Sequence, residues 1–413
     1  MEFSLPSQKK IPDIGTCNIF ISTIDDYLNH YYYLIDLKSG KIRHWYFDTK
    51  LLLSYMENIM KPYWRQAIEK FSTKESFLSA LTEPHAACYE NGRICITPLI
   101  GNFILVIDLN TNDYEILTDN PLYIFCSTKN IVNNSLYFSR WKFTDALLRE
   151  RPEQTLDLEI GRYSFVRHKF EILKTIDGPD NIHDTIVTPN EDKILVLEMP
   201  RFPNYSDNVE EIIKNGIHGK FIVYDIQKDV CQTEMIEGGP GHIVLDGNDS
   251  STVYLSCHNL LHSGCYGPGR FYKYNIEDQL RCTGKYENEV LFRIPSHSFY
   301  CFKNENLICT TAFPNQLFLI YADKMTLKKR ICVGKTDCMP SFQNGPYTYP
   351  KHDRTPYGAF PIDNTPYIVL ANLWTVSILN VETEKIIYSS SFNINNNPIS
   401  FTGHSLCIRE AVN

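Results

Sequence analysis

Apolar residues in this chain come in short runs broken by polar turns, a strand-like pattern rather than a helical one. HAACYE, RICITPL, NFILVIDLNT and YEILTD, between residues 85 and 119, are four such runs separated by NG, IGN and ND turn signals. Four strands in series is the content of one propeller blade. The third-to-fourth-strand phrase recurs as YLIDLKSGKIRHWYF, FIVYDIQKDVCQTEMI, FYKYNIEDQLRCTG, LIYADKMTLKKRICV and SILNVETEKIIYSS. Each is an apolar strand, a charged tight turn and a return strand. With a distorted unit from Pro121 to Asp177, the repeats number seven.

The first unit begins at NIFISTID without an obvious inner strand, and the chain ends with an unpaired PISFTGHSLCIRE. Both facts are explained if C-terminal residues complete the first blade, which leaves no long open edge at the seam. The sequence thus predicts an all-β fold, one seven-bladed β-propeller over residues 1–413 with C-terminal ring closure. Extra residues enter at 48–83, 142–159, 201–219, 259–269 and 334–356, the first with a helical pattern in LLLSYMENIMKPYWRQAIEKF. The connection from one blade to the next and the loop between second and third strands emerge on the same side of a propeller. All five insertions are therefore expected to cap one face, the face where inner strands begin.

Composition supports strands: aromatic residues make up 13%, with 26 Tyr and 23 Phe. A net charge of −8 without a long basic run gives no phosphate-tracking surface, so nucleic acid is not expected as a partner. No stretch approaches the ~18 consecutive apolar residues of a membrane span, and MEFSLPSQKKIPDIG has no basic-then-apolar leader pattern. The 13 cysteines are an odd number at no framework spacing, with Cys88, Cys95, Cys126, Cys301 and Cys309 inside strands. They read as reduced thiols of a cytoplasmic protein. Oligomeric state is left open.

Against that frame, four histidines recur at the start of a blade: His85, His183, His242 and His297. Imidazoles converging from rigid strands beneath a cap would make a metal site. The alternative is that each caps its strand against a wet channel. NIHDTIVTPNEDKILVLEMP resembles the inner-strand motif of the carotenoid cleavage oxygenases, and GHIVLDGNDSSTVYLS is similar to that family's next histidine blade. The resemblance implies a seven-bladed propeller holding non-haem Fe(II) on axial histidines, with His183 and His242 as ligands and His85 and His297 completing the set. Cu and Zn are alternative occupants for imidazole ligands.

Around the histidines, Glu83 and Asp180 lie in the loops leading to inner strands and could accept a ligand's second N–H. Asp184 follows His183 directly, so regular strand alternation points it away. The loop SCHNLLHSGCYGPG offers His258 and His262 as proton donors or nucleophiles, with loop packing as the competing reading, and Tyr357 stands at the equivalent slot of blade seven. Arg201, Tyr205, Arg270 and Trp374 are candidate substrate contacts. No GxxxxGK[ST], GxSxG or HExxH occurs.

The expected function is metal-dependent oxidative or Lewis-acid chemistry on a small apolar or aromatic metabolite. Three alternatives stay open. A metal-free lyase, isomerase or hydrolase would use histidine as acid and base. An interaction scaffold lacks support from WD-type signatures, and a calcium-dependent lactonase-like propeller would want oxygen ligands that the repeat slots do not offer.

Overall fold

The computed structural model describes residues 11–24, 30–47, 61, 84–98, 101–120, 122–142, 145, 156–178, 182–198, 218–237, 240–257, 269–288, 292–312, 316–333, 341–344, 347–350, 358–371, 375–391 and 406–409. The strands form seven antiparallel blades of the predicted β-propeller, plus a hairpin of Ser341–Asn344 with Tyr347–Pro350. Among the described residues no helix is long and apolar enough to cross a membrane.

Blade one carries the closure. Its second, third and outer strands are Asn18–Ile24, His30–Asp36 and Ile42–Phe47, and its inner strand is Leu406–Ile408. Among the described residues three pairs close the ring: Asn18↔Ile408, Ile19↔Cys407 and Phe20↔Leu406. The C-terminal segment completes the N-terminal blade, as the unpaired ends of the sequence predict.

Burial follows position in the blade. Second strands are pressed between neighbouring blades, so Thr252–Cys257 is buried throughout, whereas the outer strand Asp113–Leu117 buries only its last residue. Large side chains fill the wedges. Phe138 is fully buried against Phe125 and Phe170, with ring centroids 5.2 and 5.7 Å away. Gly161 lies so close that a Cβ there would meet the Phe138 ring and the Glu171 carbonyl.

The recurring third-strand phrase has a simple basis. Asp36, Asp108, Asp225 and Asn380 each end a third strand, and each side-chain Oδ1 accepts the backbone N–H groups two and three residues ahead, at 2.8 to 3.3 Å. Four residues beyond each stands a left-handed residue: Gly40 (φ 71°), Asn112 (63°), Asp229 (55°) and Glu384 (56°). The side chain thus replaces backbone acceptors in the turn, and the positive φ returns the chain into the outer strand.

Blade three is the irregular unit. Its inner strand is split into Tyr123–Phe125 and Ile131–Val132, which pair with opposite ends of Ser135–Lys142. The intervening segment leans onto blade four instead: Thr185 N donates to Ser127 O at 2.8 Å, Lys129 N to Thr185 O at 3.0 Å, and Asn130 bridges both backbone groups of Val187.

Most of the predicted insertions lie outside the described residues, including all of the helical pattern at 48–83 but Lys61. Three boundaries are corrected by strand pairing, since residues 156–159, 218–219 and 269 belong to third strands. The described ends of all five segments join either outer to inner strands or second to third strands.

Two outcomes test this architecture. Phe138→Ala is expected to cost about 3–5 kcal/mol in denaturant unfolding, with the blade-three wedge emptied. Deleting residues 406–413 is expected to lower the thermal midpoint and to produce concentration-dependent association by sedimentation velocity, because the edge of Asn18–Ile24 loses its partner.

Candidate functional site

The inner strand of blade four, Ile182–Val187, does not alternate regularly at its start. Ile182 pairs with Glu198 and Asp184 with Leu197, leaving His183 as an extra, bulged residue. A bulge re-aims the side chains around it. The expectation that Asp184 points away from His183 is therefore corrected: His183 Nδ1 is 3.4 Å from Asp184 Oδ1.

Blade five has a bulge at the same place, but its histidine stands one residue later. Pro240 pairs with Cys257 and His242 with Ser256, so Gly241 is the extra residue and His242 takes the slot that Asp184 holds in blade four. In blade two, Pro84 pairs with Pro98 and Ala86 with Thr97, which makes His85 the counterpart of His183. His297 pairs with Thr310 after a wider irregularity. The four histidines share a blade end but not one register. The side chains of His85 and His297 lie outside the described residues.

What the two described histidines share is Asp184, which is completely buried. Its oxygens both lie 3.2 Å from His242 Nδ1, and Oδ2 accepts the Ile243 backbone N–H at 3.0 Å. The Lys129 ammonium, delivered by the displaced segment of blade three, is 3.3 Å from Oδ1. The two imidazoles pack edge to face at 4.5 Å between centroids. His183, Asp184 and His242 each offer a donor atom within 4.8 Å of the others, a group that could hold a metal ion. Beside it, the Ser139 and Thr185 hydroxyls are 2.5 Å apart.

The electrostatics are those of a buried, internally balanced cluster. Burial alone would raise the Asp184 carboxyl, but Lys129 and then His242 hold it well below its ordinary range, so it is ionised. Burial pushes His242 well below the usual imidazole range and Asp184 only partly opposes this. Burial also lowers Lys129, again opposed by Asp184. A neutral His242 with a carboxylate on Nδ1 carries its proton on that nitrogen and leaves Nε2 unprotonated.

One more carboxylate sits near this rim. Glu198, paired across the sheet with Ile182, is driven up to about 7 by burial, against the pull of Lys220 at 3.6 Å. It is poised to exchange a proton near neutral pH.

Of the other expected site residues, Arg270 is held by Glu287 Oε2 at 2.8 Å and faces Glu237 Oε1 at 3.7 Å, outside the histidine cluster. Glu83, Asp180, Arg201, Tyr205, His258, His262, Tyr357 and Trp374 lie outside the described residues. Lys129, Glu198 and the linking role of Asp184 were not anticipated. The adjacency of His183 and Asp184 was visible in the sequence; the bulge that turns adjacency into contact was not.

Compared with protein-family models and with curated proteins, the chain matches none of them.

Since the folded cluster refuses protons that the unfolded chain accepts, it should lose stability in acid. His242 has a folded value below its ordinary 6.5, so its contribution is full above that pH and declines below it. Asp184, depressed from 3.8, adds a second loss below that value. In denaturant unfolding, the stability difference between wild type and His242→Gln should shrink from about pH 6.5 downward, a comparison that cancels the opposite contribution of Glu198, whose raised value adds stability as pH falls through the same window. Asp184→Asn should cost about 3–5 kcal/mol at pH 7 by leaving Lys129 buried without its counter-charge, and adding Lys129→Met should recover part of it.

Proposed function

We propose that this propeller is a metal-dependent enzyme of the cytoplasm whose site is the rim where His183 and His242 meet, with Fe(II) as the metal and Cu or Zn as alternative occupants. The observation that carries the proposal is the buried His183–Asp184–His242 group. Its donor set fits: imidazole nitrogens suit iron, copper and zinc, and a carboxylate behind a ligand imidazole is the usual outer support.

Both Asp184 oxygens are engaged, by Lys129 and His183 on one side and His242 and Ile243 N–H on the other. That assigns Asp184 to orienting the imidazoles, with His183 and His242 as the direct ligands. His85, at the bulge position equivalent to His183, and His297 on the inner strand of blade six are proposed to complete the set. A metal held there supplies Lewis acidity toward a substrate oxygen or a binding point for O2. Lys129 keeps Asp184 charged, Asp184 keeps the His242 tautomer fixed, and Glu198 can deliver or accept a proton at neutral pH. The substrate is proposed to be a small apolar or aromatic metabolite, as the aromatic content and capped face suggest.

A second reading rests on the contact of Asp184 with His242 Nδ1. A carboxylate–imidazole pair of that kind also serves a metal-free general base. The readings separate on one measurement: elemental analysis of protein purified without chelator. The proposal expects stoichiometric transition metal in the wild type and its loss in His183→Ala/His242→Ala. A folded wild-type protein without stoichiometric metal, or a double variant that retains it, sinks the metal reading and leaves the acid–base pair.

A further inference from the structure

At the seam of the ring stand two thiols on the two chain ends it joins. Cys17 immediately precedes the second strand of blade one, and Cys407 is the middle residue of the closing strand. The register Asn18↔Ile408 and Ile19↔Cys407, extended by one residue, sets Cys17 opposite Arg409 and diagonal to Cys407 on the same face. Their sulfurs are 3.4 Å apart. A disulfide needs about 2.05 Å, and diagonal neighbours stand about 7–8 Å apart, so joining the sulfurs draws the end of the closing strand toward Cys17. Cys17 is completely buried, whereas Cys407 is partly exposed.

We propose that Cys17 and Cys407 are a redox-active dithiol whose disulfide locks the propeller ring, formed by exchange with a small-molecule disulfide such as oxidised glutathione. This is independent of the metal reading, which concerns blades two to six.

The division of labour follows from exposure and charge. The hydrogen bond from the Cys407 thiol lowers Cys17 first, with Arg409 assisting against burial, so the thiolate is favoured at Cys17. The partly exposed Cys407 meets the oxidant. As its sulfur attacks one sulfur of the small disulfide, its proton passes to Cys17 and the first small thiolate leaves. Cys17 sulfur then attacks the Cys407 sulfur of the mixed disulfide and the second small thiolate departs with the proton Cys17 had taken, while the first small thiolate takes from solvent the proton that Cys17 had released on ionising. Two cysteines are oxidised and one small disulfide is reduced to two thiols.

The linkage would tie residues separated by 390 positions, replacing reliance on three strand pairs with a covalent bond. Long closed loops are where such a bond most constrains the unfolded chain. Cys88 and Cys95 supply an internal comparison: they face each other across blade two, but both are buried, at 3% and 1% exposure. Contact between thiols is present there without access for an oxidant.

The test treats the full-length reduced protein with an excess of oxidised glutathione, quenches free thiols, and maps peptides without reduction. The expected result is a Cys17–Cys407 linked peptide, an intact mass lower by two hydrogens, and a thermal midpoint raised by several degrees that returns on addition of dithiothreitol. Cys407→Ser should abolish all three, while Cys88→Ser leaves them. No Cys17–Cys407 peptide in the wild type, or a Cys88–Cys95 peptide in its place, overturns the proposal, and neither reading needs a variant to fold. A linked peptide with an unchanged midpoint overturns the locking role.

Discussion

The junction of blades three, four and five depends on one buried carboxylate. Asp184 takes a charge from Lys129 of blade three and hydrogen bonds from the His242 ring and Ile243 backbone of blade five, while standing on blade four itself. An ionised group without exposure persists only if its lone pairs are answered, and here the answers come from blades three and five as well as from blade four itself. The inner ends of these blades are therefore located by the needs of a charge as well as by packing. The same requirement fixes the imidazoles on which any chemistry at this rim would rely.

How much of this was legible in the sequence varies with the physical range of each feature. Blade count and ring closure were readable because they rest on local patterns: strand–turn–strand phrases, with Asp or Asn ending the third strand, and unmatched ends at the termini. The capping of turn N–H groups by Asp36, Asp108, Asp225 and Asn380 explains why those phrases recur so clearly. The signal is a hydrogen-bonding need repeated in blades one, two, four and seven.

The site was only half legible for the opposite reason. His183 and His242 could be placed at blade ends, but whether they faced the same point depended on equivalent bulges in blades four and five, in which His183 is the extra residue and His242 the one that follows it. A bulge is a property of two paired strands, so no single run of residues announces it. Lys129 was hidden because its segment abandons blade three's own sheet for blade four. Glu198 was hidden because its altered proton affinity comes from burial rather than residue type.

The closing strand also sets an order of events. Hairpins within a blade join residues close in sequence and can form as the chain is made, whereas the pairing of Asn18–Phe20 with Leu406–Ile408 brings together segments separated by nearly the whole chain. During vectorial synthesis, the blade whose outer strands emerge first is the one finished last. Until then the edge at Asn18–Ile24 stays available to other chains, so the interval between its emergence and closure is the period when this protein is most exposed to mispairing and most in need of chaperone protection.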